Sequence, residues 1–120
     1  MSMNEEARRQ AQRYLSMSED QLFSSIPQYL PEYDGVYFSP DGKIAAGRDF
    51  FERHLPLFRE CVCVKWEYCR RRNDPDLLDT VTLVTSVADI IATAAGATVP
   101  TFVIAALLIK KSLNVLCQCP

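Results

Sequence analysis

Five cysteines, a single histidine and a group of cations are the side chains in this 120-residue chain with the most chemistry to offer. Cys69, Cys117 and Cys119 form the first constellation. If the apolar segments near the end of the chain fold back antiparallel, residue 75 lies beside residue 117. Cys69 then comes close to Cys117 and Cys119. Three thiolates beside cations begin a zinc site, since positive charge favours the thiolate and structural zinc takes four such ligands. The fourth ligand is missing, because Cys61 and Cys63 precede Cys69 by six to eight residues, about 9 to 12 Å along a helix. Cys61 and Cys63, two apart on a helix, also direct their thiols to different faces. The cysteines therefore read as reduced, buried thiols with no metal and no cofactor. A bridge from Cys69 to Cys117 or Cys119 is the minor alternative, and the odd count argues against a complete disulfide framework.

Catalysis finds little material. His54 is the one histidine, and its nearest same-face thiol, Cys61, is seven residues on, about 10 Å away on a helix. A nucleophile and its base need hydrogen-bond contact. There is no Gly-rich phosphate loop, no His-Glu-x-x-His and no nucleophile elbow. The expectation is a protein that is not an enzyme, with His54 in a structural role beside Pro56.

The cations Arg70, Arg71, Arg72, Lys110 and Lys111 flank the apolar part of the chain on both sides. In a hairpin they meet at one basic pole, suited to an acidic protein partner or to an anionic membrane surface. Nucleic acid fits less well. The net charge is -2, and Asp74, Asp76 and Asp79 follow the arginines at once.

The elements that position these groups can be read from the pattern. Residues 81–109 carry one formal charge, Asp89, and are interrupted only near Gly96 and Pro100. They read as two helices joined by a turn at 94–97, within a hairpin spanning 74–118. Along the first arm Asp79, Thr82, Ser86, Asp89 and Thr93 recur at spacings of three and four, drawing a narrow polar stripe that faces solvent or a second copy. The second arm is apolar on every side from Phe102 to Ile109, as in a helix at the centre of a core or surrounded by lipid. Each arm has roughly 10 to 15 apolar residues, short of the ~20 of a full bilayer crossing.

Before the hairpin, residues 5–17 form an amphipathic helix with Ala7, Ala11, Tyr14 and Leu15 on its apolar stripe. Ser18 and Gln21 have capping-box spacing, and Met17 and Leu22 occupy hydrophobic-staple positions, so a second helix starts there and ends near Ile26, before Pro27. Residues 27–47 hold Pro27, Pro31, Pro40, Asp34-Gly35 and Asp41-Gly42. They read as an irregular connection, with Val36-Tyr37-Phe38 and Lys43-Ile44-Ala45 as a candidate β-hairpin around Ser39-Pro40-Asp41-Gly42. Residues 48–72 form a third helix. Phe51, Leu55, Phe58, Val62, Trp66 and Cys69 make its buried face, and Phe50, Leu57, Cys61, Val64 and Tyr68 widen it. Pro56 should kink this helix or split it near His54.

The expectation is a single all-α domain over residues 1–120, a bundle of about five helices: 1–26 N-terminal helices, 27–47 connection, 48–72 kinked helix and 74–118 apolar hairpin. The start of the chain has no apolar stretch, which points to a cytoplasmic protein. Its expected role is a small non-enzymatic interaction module that offers a helical face or the basic pole to a protein partner or to a second copy of itself. The second reading is a membrane-active protein whose hairpin is peripheral to, or inserted in, a bilayer. The third is a thiol-metal module at Cys69, Cys117 and Cys119.

Overall fold

The computed structural model describes residues 2–95 and 100–120, which form an all-α bundle. Among them are seven α-helices: α1 Ser2–Leu15, α2 Glu19–Ser25, α3 Pro40–Arg59, α4 Tyr68–Arg71, α5 Thr80–Ala95, α6 Thr101–Lys110 and α7 Leu113–Leu116. Single 3-10 turns occupy Pro27–Tyr29, Pro31–Tyr33 and Pro75–Leu78, and a π-helical stretch, Glu60–Lys65, extends α3.

The helix that is apolar all round is the one in the middle. Val103 to Leu108 of α6 are each at most 1% exposed, and α1, α2 and α5 pack around them. Ala11 comes from α1, Leu22 and Phe23 from α2, and Val84, Val87, Ala88 and Ile91 from α5. The apolar face of α3 packs mainly on α2. The Phe51 ring meets Phe23 edge-on at 5.7 Å and Phe58 at 6.0 Å. No described helix is long and apolar enough to cross a membrane.

The α2 boundary follows the residues that specify it. Ser18 Oγ accepts a hydrogen bond from the Gln21 N–H at 3.1 Å, and Gln21 Oε1 accepts one from the Ser18 N–H at 2.8 Å. Leu22 is buried and Met17 half-buried against the core. Replacing Ser18 by Ala removes the acceptor and is expected to cost about 1 kcal/mol. That loss reads as a lower urea midpoint at unchanged slope.

Three boundaries differ from the sequence reading. No strand occurs among the described residues of 27–47. Ser39-Pro40-Asp41-Gly42, read above as a hairpin turn, is instead the start of α3. Ser39 Oγ accepts from the Gly42 N–H at 3.1 Å, and Pro40 stands in the first turn. A Ser-Pro pair serves a turn and an N-cap equally well. Here packing decides, with Ile44 and Gly47 brought against the preceding helices.

Pro56 does not split α3. A proline removes one backbone hydrogen bond, and the helix continues into the π stretch, where the Trp66 N–H reaches back five residues to the Cys61 carbonyl at 3.0 Å. The chain breaks only at Glu67, whose φ is 57°. The wide turn buries Cys61 and Val62 and turns Val64 outward, while Leu57 also remains exposed.

The hairpin is shorter than expected at both ends. Pro75 begins only a 3-10 turn, and Asp79 caps α5 by accepting from the Val81 N–H at 3.2 Å. α6 stops at Lys110, and Ser112, with φ 74°, separates it from α7. Of the turn expected at 94–97, Gly96 and Ala97 lie outside the described residues.

Candidate functional site

The antiparallel return places Cys69 beside Cys117 and Cys119, but as covalent partners rather than ligands. Cys63 pairs with Cys117 and Cys69 with Cys119, with Cα–Cα distances of 5.2 and 5.3 Å. This corrects the reading of five reduced thiols, of which only Cys61 remains free and buried. In this oxidised form the sulfurs of Cys69, Cys117 and Cys119 are bonded to sulfur and offer a metal no thiolate. Among the described residues no group of three or more His, Cys, Asp or Glu is arranged to hold a metal.

The partner missed in the sequence is Cys63. Within the π stretch it bridges to Cys117 at the end of α7, while Cys61 lines a groove shared with Ile90, Thr93 and Ala94 of α5. The bridges span sequence separations of 54 and 50 residues. Closing one loop of this size removes unfolded-chain entropy worth about 4 kcal/mol. The second adds less, because the first has already closed nearly the same loop.

The expected basic pole is divided. Arg72 turns to the end of the chain, donating to Asn114 Oδ1 at 3.3 Å and to the Pro120 carbonyl at 2.6 Å. Arg70 pairs with Glu67 at 3.2 Å. Lys111 turns the other way, to Glu19 at 3.0 Å and over the Phe23 ring at 5.7 Å. Lys110 is exposed. Lys111 thus fastens α6 to α2 rather than joining the arginines.

The polar stripe on α5 is divided too. At its start Arg8 of α1 donates to Asp79 Oδ2 at 2.9 Å and to Thr82 Oγ1 at 3.1 Å. The Arg8 guanidinium, and after it the Thr82 hydroxyl, hold the Asp79 carboxyl below its usual range. Ser86 is half-buried, and Asp89 and Thr93 face outward, the Thr93 hydroxyl donating to the Asp89 carbonyl at 2.9 Å.

Between the π stretch and the second half of α5 lies a groove of about 320 Å³, lined by Cys61, Lys65, Trp66, Ile90, Thr93 and Ala94. Its walls are mostly apolar, and Lys65 is the one charged side chain among them. Trp66, the single tryptophan, forms one wall. Arg71 stands over the same indole at 5.9 Å and donates from Nε to the Trp66 carbonyl at 2.6 Å. Apolar groove and arginine cluster are therefore continuous through Trp66. Val64, 59% exposed, projects from the same π stretch. Helical periodicity conceals this groove, since it places Trp66 and Val64 together on a buried face and gives no sign of the wide turn that separates them.

His54 stands apart from both features. Its Nδ1 shares a hydrogen bond with the Phe50 carbonyl at 2.9 Å, and its ring stacks on Phe50 and Phe58 at 4.2 and 6.3 Å.

Comparison of the chain with protein-family models, with curated proteins and with solved structures finds no match.

Proposed function

We propose that the protein is a small non-enzymatic interaction module that binds an acidic, amphipathic segment of a protein partner in the groove between the π stretch and α5. The observation that carries this reading is the composition of that groove. Its walls are Cys61, Trp66, Ile90, Thr93 and Ala94, its one charge is Lys65, and Arg71 continues it beyond the indole. An occupant of matching chemistry brings one or two apolar side chains for the walls and a carboxylate for Lys65 and Arg71. Aromatic and Arg anchors flanked by apolar area are what protein interfaces concentrate. The stacked, hydrogen-bonded His54 supports the non-enzymatic part of the reading, since its ring is occupied in packing.

Selection from a displayed peptide library, followed by titration of the selected peptides against Trp66 fluorescence, tests this. Selected peptides should combine apolar residues with Asp or Glu. Lys65→Glu should weaken their binding by about tenfold or more, as expected where an ion pair becomes a like-charge contact. Basic peptides, or binding indifferent to Lys65→Glu, would contradict the reading. Assembly into dimers through Val64 and Trp66 would make a second copy the occupant and contradict the acidic partner.

The compartment is part of the same proposal. Disulfides persist where thiols are not kept reduced, so the oxidised form described above belongs to an oxidising setting. A cytoplasmic setting calls for the four bridging cysteines as thiols. Insertion of α5 and α6 into a bilayer, the second reading, would require α6 to leave the centre of the bundle.

A further inference from the structure

We infer that the end of the chain, residues 112–120, is a redox-controlled latch. Reduction of Cys63–Cys117 and Cys69–Cys119 releases it from the π stretch and α4 and frees Arg72, while the bundle around α6 stays folded. The inference is independent of what occupies the groove.

Four observations carry it. Both bridges join the same two parts of the chain, with Cys63 and Cys69 on one side and Cys117 and Cys119 on the other. They act as one fastening rather than as staples spread through the core. The fastened helix, α7, has four residues, too few to hold its shape alone. Ser112 and Gln118, on either side of it, take φ values of 74° and 53°, a left-handed backbone that non-glycine residues adopt at a cost and that the cross-links help to hold. Finally, the four bridging cysteines are all half-buried rather than enclosed in the core as Cys61 is.

The remaining ties from this segment to α4 are few. Arg72 donates to Asn114 Oδ1 and the Pro120 carbonyl, and the Cys69 sulfur lies 3.8 Å from the Cys117 carbonyl. Leu113 is buried in the core and Leu116 is half-buried against it, so apolar packing also holds the near end of the segment.

The reductant is a dithiol. Its thiolate attacks Sγ of Cys119, forming a mixed disulfide and expelling the Cys69 thiolate. The second thiol of the reductant then attacks the mixed disulfide and releases Cys119, leaving the reductant as its own disulfide. Two electrons and two protons pass to the cysteine pair. Cys63–Cys117 is opened by a second equivalent in the same way. Redox switches of this kind work by biasing an element that has two arrangements, here a docked and an undocked α7.

The test is hydrogen–deuterium exchange of the full chain before and after dithiothreitol, with alkylation and mass measurement to count thiols. Under denaturing conditions the oxidised protein should take up label at Cys61 alone, and the reduced protein at all five cysteines. Amides of residues 113–119 should exchange at least tenfold faster after reduction, those of 103–108 should not change, and reoxidation should restore the first pattern. A variant with Cys63, Cys69, Cys117 and Cys119 all replaced by Ser should resemble the reduced protein. Unchanged exchange at 113–119 with all five thiols labelled would overturn the latch, since the segment would be held without the bridges. Loss of protection at 103–108 on reduction would also overturn it, since the bridges would then be supports of the whole fold.

Discussion

Leu107→Asp should leave the protein without a cooperative folded state at 25 °C. Leu107 is fully buried in α6, and no polar or charged side chain is buried among the described residues to receive a carboxylate. The new group must either ionise without a partner or take up a proton and remain an unpaired polar group, and both are costly. The leucine packing is lost as well, which alone costs about 2 to 5 kcal/mol in a core. The sum reaches or exceeds the ~5 to 15 kcal/mol that holds a domain together. Circular dichroism during heating provides the check. Leu107→Asp should show no sigmoidal transition, while Leu107→Met, nearly volume-conserving, should cost less than about 1.5 kcal/mol. A near-normal transition for Leu107→Asp would mean that α6 is not the centre of the fold.

Gly47→Ala should destabilise the protein, although alanine is the better helix former by about 1 kcal/mol. Gly47 is buried in α3 where that helix crosses α2, and a Cβ added there would lie 1.8 Å from the Phe23 carbonyl oxygen and 2.6 Å from its carbon. Those atoms are backbone and cannot rotate away, so the two helices must move apart. Separation disturbs the Phe23–Phe51 edge contact, the Arg48 guanidinium 5.2 Å over the Phe23 ring and the Arg48–Asp20 pair at 3.4 Å. Overpacking of this kind costs about 3 kcal/mol, a fall of roughly 10 °C in Tm for a domain of this size. A Tm equal to or above that of the parent would show that α2 and α3 do not approach this closely.

Both predictions rest on features of unequal legibility. The burial of α6 is written in its residues, because a helix without a polar face must be enclosed. The Ser18 cap is equally plain, since two residues three apart satisfy one another's backbone partners. Gly47 gives no such sign. Its neighbours Ala46 and Arg48 fix no periodicity, and its role exists only once α2 lies across it. The start of α3 is ambiguous in sequence because Ser39-Pro40-Asp41-Gly42 is good turn chemistry and good capping chemistry at once, and contacts distant in sequence choose between them.

The cysteines show the same boundary. Antiparallel geometry brings Cys69 near Cys117 and Cys119, but counting residues along an ordinary helix sets Cys63 too far back to join them, whereas it lies beside Cys117. The second bridge needs Cys63 turned toward α7, and that orientation comes from the π stretch, whose residues look like ordinary helix. The groove beside Trp66 arises from the same wide turn. Local sequence therefore specifies the bundle and its centre, and the one irregular turn after Pro56 decides both the disulfide pairing and the candidate binding face.

The most direct measurement is hydrogen–deuterium exchange of the oxidised protein in detergent-free buffer, with and without anionic vesicles. Amides of residues 103–108 should be the slowest in the chain, exchanging only through global unfolding, and vesicles should not alter them. Fast exchange of 103–108 in buffer, with protection gained only on adding vesicles, would contradict the buried placement of α6 and favour insertion of the hairpin into the bilayer.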